Sequence, residues 1–173
     1  GTVPADLLEA AAGGRAGISE AVADGSLELD DARVRVRHPL LASVVYDSAL
    51  PSERREAHRG LADVASDPND RARHRALATT GVDEAVAAEL EASADAAARR
   101  GAPALGAFLA EQSARLTPRS DAAASRRRRR TGAMHRISAG DPAAARGVLE
   151  RLAEETDQGP ERAVTLLYLA DTV

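Results

Sequence analysis

Few residues in this chain have the types and spacing needed for chemistry. His38 stands at the end of an alternating run, Val34-Arg35-Val36-Arg37, and directly before Pro39. The alternation is the period-2 pattern of a half-buried strand. Proline is favoured at the first position of a helix, where its missing N–H would have been unpaired. Leu40, Leu41, Val44 and Val45 follow at helical spacing. The imidazole is therefore expected at a strand-to-helix junction, where it can cap the helix or hydrogen-bond within the junction.

The other candidates are weaker. His58 and His74 have no cysteine or carboxylate at ligand spacing, so a zinc site is not expected; hydrogen bonding on or between helices is. Arg126 to Arg130 are five consecutive arginines. At about 100° per residue they point all round a helix and cannot form one nucleic-acid patch. Arg127 and Arg130 share a face with Ala123, Met134 and Ile137, where their stems can cover apolar surface. No local motif signals a nucleophile and its base, and no catalytic or metal-binding residue is assigned. Because the chain has no lysine, it contains no Gly-x-x-x-x-Gly-Lys-Ser/Thr phosphate loop. An enzyme is not expected, and no cofactor is expected for this segment.

The elements that position these residues divide the 173-residue chain in two. Residues 1–65 read as helix, helix, hairpin and helix. Asp6 to Ala12 is closed by Gly13-Gly14, and Ile18 to Asp24 by Gly25. Ser26 to Leu29 and Arg33 to Arg37 form a hairpin around Asp30-Asp31-Ala32, and Pro39 to Ala49 forms the next helix. This is the order of a winged-helix unit. Ser52 is a candidate N-cap for a further helix. Arg33, Arg35 and Arg37 share one face of the hairpin, with Asp30, Asp31 or a neighbouring domain as expected partners.

From residue 66 to 173 the pattern is helix and turn. Six helical stretches end near residues 80, 100, 116, 139, 157 and 172. Ala104 to Glu111 and Ala143 to Glu150 align at an offset of 39 residues, as do Gly101 with Gly140 and Pro103 with Pro142. Such a period marks stacked antiparallel hairpins of tetratricopeptide type. The expected fold is therefore mainly α, a winged-helix unit with one small β-hairpin followed by three tetratricopeptide-like hairpins.

Composition agrees with this division. Apolar residues are 44% of the chain but aromatics only 2%, so the core must be Ala, Leu and Val. Residues 1–65 hold 7 Arg against 11 Asp and Glu. The helix in the recognition position carries Glu20, Asp24 and no base. Phosphate backbones demand cations, so direct DNA binding is not expected. There is no cysteine, and no apolar run approaches the roughly 18 residues of a membrane span. A cytoplasmic protein with no membrane partner is the expectation. Gly1 in place of Met, and an end inside a helical pattern at Val173, read as an excised piece of a longer chain.

The junction also resembles a family. Val36-Arg37-His38-Pro39-Leu40 through Val45-Tyr46 is similar to the "FRHPLV…AVY" segment of large actinobacterial LuxR-type regulators, the ATP-binding class typified by the maltose-system activator. Arg54-Arg55-Glu56-Ala57-His58-Arg59-Gly60-Leu61-Ala62 resembles that family's "RRxxHRxLA". Arg73-His74-Arg75-Ala76-Leu77-Ala78 resembles its "xxHLALA". Arg100-Gly101-Ala102, Leu116-Thr117-Pro118 and Gly140-Asp141-Pro142 resemble its "RGA", "LTP" and "GDP". Val36 replaces the usual phenylalanine, and Arg75 a common leucine. The resemblance implies a regulatory, non-catalytic sensor segment of a transcriptional regulator. It also implies an ATPase domain of the same chain as partner, ATP or ADP as the parent's cofactor, and His38 as a sensor of the nucleotide's phosphate. A small-molecule or protein ligand would bind the helical array. The residues also fit a stand-alone helical-repeat scaffold for protein–protein interaction.

Overall fold

The computed structural model describes residues 3–12 and 14–172. Gly1, Thr2, Gly13 and Val173 lie outside the described residues, and so does part of the expected Gly13-Gly14 helix stop. The described chain is mainly α, with a small antiparallel sheet, and it forms two compact units, residues 1–78 and 79–173.

The first unit runs β1 (Val3–Pro4), α1 (Ala5–Ala12), α2 (Ala16–Ala23), β2 (Leu27–Asp30), β3 (Arg33–Val36), α3 (Pro39–Ser48), α4 (Pro51–Val64) and α5 (Pro68–Ala78). The expected hairpin is present, with Leu27 opposite Val36 and Asp30 opposite Arg33. Asp31 turns it with φ 52°, a left-handed conformation that Asp tolerates because its short side chain can bond locally. The sheet has a third strand that alternation did not reveal. β1 pairs antiparallel with β3, Val3 opposite Val34, so β3 is central and Val34 is buried. Two residues, one of them proline, are too short to show a period.

Three local expectations change. α4 starts at Pro51 with Leu50 as N-cap, so Ser52 lies inside the first turn and is not the cap. Glu53 accepts the Leu50 N–H at 2.7 Å. Arg35 and Arg37 pair with Glu28, at 2.5 and 3.1 Å, rather than with Asp30 or Asp31; register places Glu28 directly opposite Arg35. The first unit also ends after Ala78 rather than near residue 65. α4 and α5 pack together as a hairpin with Ala62, Ala65, Ala72 and Ala76 buried. α5 therefore does not belong to the helical array.

The second unit holds α6 (Glu84–Arg99), α7 (Pro103–Leu116), α8 (Ala122–Ser138), α9 (Pro142–Glu155) and α10 (Pro160–Ala170). Each packs on the next in chain order, the arrangement of tetratricopeptide-like hairpins. With α5 assigned to the first unit, the array holds the hairpins α6–α7 and α8–α9 plus α10, not three full hairpins. The 39-residue offset has a conformational cause. Gly101 and Gly140 close α6 and α8 with φ 85° and 84°, which glycine adopts without steric penalty. Asp83, Asp121 and Asp141 each accept the N–H three residues on, capping α6, α8 and α9. The core is built from Ala87, Leu90, Ala94, Leu109, Leu116, Ala145, Leu149 and Leu152.

Close helix approach leaves particular glycines no room. A Cβ on Gly60 would lie 2.5 Å from the Ala11 carbonyl oxygen, where α4 meets α1. Gly17, also helical, has nothing within 4 Å of that position. Gly60→Ala should therefore destabilise the first unit by about 1–3 kcal/mol, and Gly17→Ala should stabilise it by about 0.5–1 kcal/mol. Urea denaturation of the two variants checks this; equal effects would show that the α1–α4 approach is not tight.

Candidate functional site

His38 occupies the N-cap of α3 in extended backbone, φ −118° and ψ 122°. Its carbonyl accepts the Leu41 N–H at 2.9 Å. Its side chain makes no capping hydrogen bond and is exposed. The junction is therefore as expected, with the capping done by the His38 backbone alone.

α3 is apolar yet open to solvent. Leu40 is 79% exposed, Val44 62% and Val45 59%. One side of α3 walls a groove of about 550 Å³ with β2, β3 and α4. Leu41, Val45, Leu27, Val36 and Leu61 give it an apolar lining, and Tyr46, His58, Glu53 and Arg54 supply the polar groups. Its size and lining fall in the range of small-molecule pockets.

The polar wall joins three helices. The Tyr46 hydroxyl of α3 lies 3.1 Å from Nε2 of His58 on α4. Nδ1 of His58 lies 3.0 Å from Nδ1 of His74 on α5. The imidazoles are within 27° of coplanar, with centroids 5.2 Å apart, so the facing nitrogens point at each other. One must carry the proton and donate to the other's lone pair. The Arg54 guanidinium sits 5.2 Å from the Tyr46 ring centroid, within cation–π range. Burial holds both imidazoles below their usual range, and the neighbouring His74 and Arg73 charges lower His58 further. The sequence offered interhelix bonding for each histidine separately. It gave no sign that they meet each other, or that Tyr46 joins them. Among the described residues no cluster of three or more His, Cys, Asp or Glu could hold a metal.

The arginine run is the second site. Its members do radiate, and each meets a carboxylate, shared among α6, α9 and α10. Arg126 and Arg130 pair with Glu161 of α10, at 3.1 and 3.6 Å. Arg127 pairs with Glu91 of α6 at 2.9 Å, and Arg129 with Glu155 at the end of α9. Arg128 is 2% exposed. It donates to both Glu84 oxygens at 2.7 and 2.9 Å, to Glu91 at 2.9 Å and to the Thr117 hydroxyl at 2.6 Å. The inward stripe of α8 is thus Ala124, Arg128 and Gly132, not the face of Arg127 and Arg130. Thr117 in turn donates to the Ser113 carbonyl, and Ser113 to the Ala87 carbonyl. These guanidinium bonds hold Glu84, Glu91, Glu155 and Glu161 below the ordinary carboxylate range.

A further groove of about 500 Å³ lies on α7, α8 and α9. Arg115, Arg129, Arg136 and Arg151 line it with Glu111, over Ala133 and Val148.

Comparison of the chain with protein-family models, with curated proteins and with solved structures finds no match. Among the described residues no helix is long and apolar enough to cross a membrane.

Two expectations follow for the arginine cluster. Arg128→Ala should cost about 3 kcal/mol, because it leaves a cavity and takes the guanidinium from Glu84 and Thr117, while Glu91 keeps Arg127. Arg127→Ala should cost under about 1 kcal/mol, as for an exposed ion pair. Chemical denaturation of the variants separates them. The four carboxylates titrate lower in the folded chain than in the unfolded one. Their contribution is complete above about pH 4.5 and is lost as pH falls below it. Acid unfolding of the array should therefore shift to higher pH in Arg128→Ala.

Proposed function

We propose that the chain is a non-catalytic coupling and recognition segment of an ATP-dependent LuxR-type transcriptional regulator. The observation that carries this reading is the exposed His38 at the start of an equally exposed apolar helix. An exposed histidine whose side chain makes no capping bond, beside an exposed apolar face, suits a docking surface. In this reading the face packs on the ATPase domain of the same chain, in the cytoplasm. His38 then reports whether a nucleotide phosphate is in place, and the helical array supplies the ligand or protein signal. Such coupling works only if the signal prefers one nucleotide state. ATP and ADP belong to the parent, and the segment itself binds neither.

The second reading is a stand-alone helical-repeat scaffold for a protein partner. The arginine-lined groove on α7, α8 and α9 favours it. A phosphate-loop motif in the same reading frame supports the first reading; start and stop codons bracketing the segment support the second.

Neither reading has this segment touching DNA. All five guanidiniums of the run already pair with carboxylates, so releasing counterions from a duplex would require breaking those pairs.

In the full-length regulator, His38→Ala should speed ADP release and raise basal activity. Unchanged release would leave His38 with no nucleotide role. The segment alone should leave duplex DNA unshifted at about 150 mM salt. Tight binding abolished by Arg127→Ala with Arg130→Ala would reverse that expectation.

A further inference from the structure

The contacts of α3 are few for a helix so apolar. It packs on β3, Arg54 of α4 lies over its Tyr46 ring, and the Tyr46 hydroxyl is tied to His58 of α4. That tie continues through His58 to His74 on α5. We propose that the Tyr46–His58–His74 line is a proton-operated latch: it holds α3 against α4 while the histidine pair carries at most one extra proton, and a second releases it.

The proton count follows from the geometry. In the neutral pair one hydrogen lies between the two Nδ1 atoms, and His58 Nε2 either accepts from the Tyr46 hydroxyl or donates to it. One added proton keeps the bridging hydrogen in place and makes both Nε2 atoms donors, so Tyr46 accepts. A second added proton puts an N–H on each Nδ1. Two donors facing each other at 3.0 Å cannot bond, and two like charges adjoin. One imidazole must swing away. If it is His58, the Tyr46 tie goes with it.

The surrounding charges set the working range. Arg73 on α5 opposes protonation of both rings, and Asp70 on α5 favours it at His74. On α4, Arg54 lies over the Tyr46 ring, and Glu53 lines the same groove. Burial and the cations together hold the pair below the usual histidine value of about 6.5. The folded state then binds fewer protons than the unfolded one. The latch's contribution is complete above about pH 6.5 and declines as pH falls. Released, α3 would take away one wall of the apolar groove of about 550 Å³. The latch does not depend on the regulator reading, since it concerns only the first unit's own helices.

The test uses the full chain and two measurements. Imidazole nitrogen NMR follows the titrations of His58 and His74. Amide exchange protection over residues 41–49, corrected for the intrinsic pH dependence of exchange, follows α3. The latch requires His58 and His74 to titrate as a coupled pair below the usual range. It also requires α3 protection to be lost between neutral pH and the end of that titration. Tyr46→Phe keeps the ring but removes the tie. α3 should then be poorly protected at every pH, while the histidines still titrate together. His74→Gln retains a hydrogen-bonding group without a charge, and α3 protection should become nearly independent of pH. Independent titration of the two histidines at the ordinary value would overturn the latch. So would unchanged α3 protection in the unmodified chain across their titration.

Discussion

The helical array depends on a guanidinium that water cannot reach. Arg128 is buried to 2% exposure on α8, where an unpaired charge would cost several kcal/mol. It is retained because its planar fork meets acceptors on both preceding helices of the unit. Glu84 and Glu91 come from α6, and Thr117 from the end of α7. A lysine could not replace it, having one point charge and no bidentate geometry. The position of α8 is thereby fixed against α6 and α7 by directional bonds, on which the apolar contacts then close. The flanking arginines extend the same device to α9 and α10. A charge run that looks like a binding patch is used internally.

This dependence is explained by what the core lacks. Few large side chains are buried, and alanine supplies most of the interface. Small residues let helices approach until backbone nearly meets side chain. A Cβ on Gly106 would stand 2.9 Å from the Ala94 carbonyl oxygen and 3.1 Å from the His135 ring. Alanine faces pack closely but are smooth, so they do little to fix the sliding or rotation of one helix on another. Arg128, the Asp caps and the glycine turns supply the register that interdigitating large side chains give elsewhere. In the first unit the same shortage leaves α3 largely exposed, tied to α4 through Tyr46.

Much of this was legible where local rules act. The hairpin showed in the alternation of Val34 and Val36 with arginine, and the start of α3 in His38-Pro39. The array turns showed in Gly101 and Gly140, because a left-handed backbone favours glycine. What was not legible depends on neighbours distant in sequence. β1 exists because β3 has a free edge. α5 leaves the array because its alanine face fits α4. Arg128 rather than Arg127 points inward because Ala124 and Gly132 share its stripe, a difference of one residue within a uniform run. The meeting of His58 and His74 joins positions sixteen residues apart, and the Tyr46 link crosses from a third helix. Helical spacing contains none of these.

The uniform run has a consequence for its length. The loss of one arginine would be hard to notice in composition. Position 128 would still hold arginine, and the bonds to Glu84, Glu91 and Thr117 could form. Everything after the run would turn by about 100°. Gly132 would leave the buried stripe, Ala133 would take its place, and Met134 would take the place of the buried Ala133. The sequence most tolerant of exchange within the run is thus among the least tolerant of a change in its length.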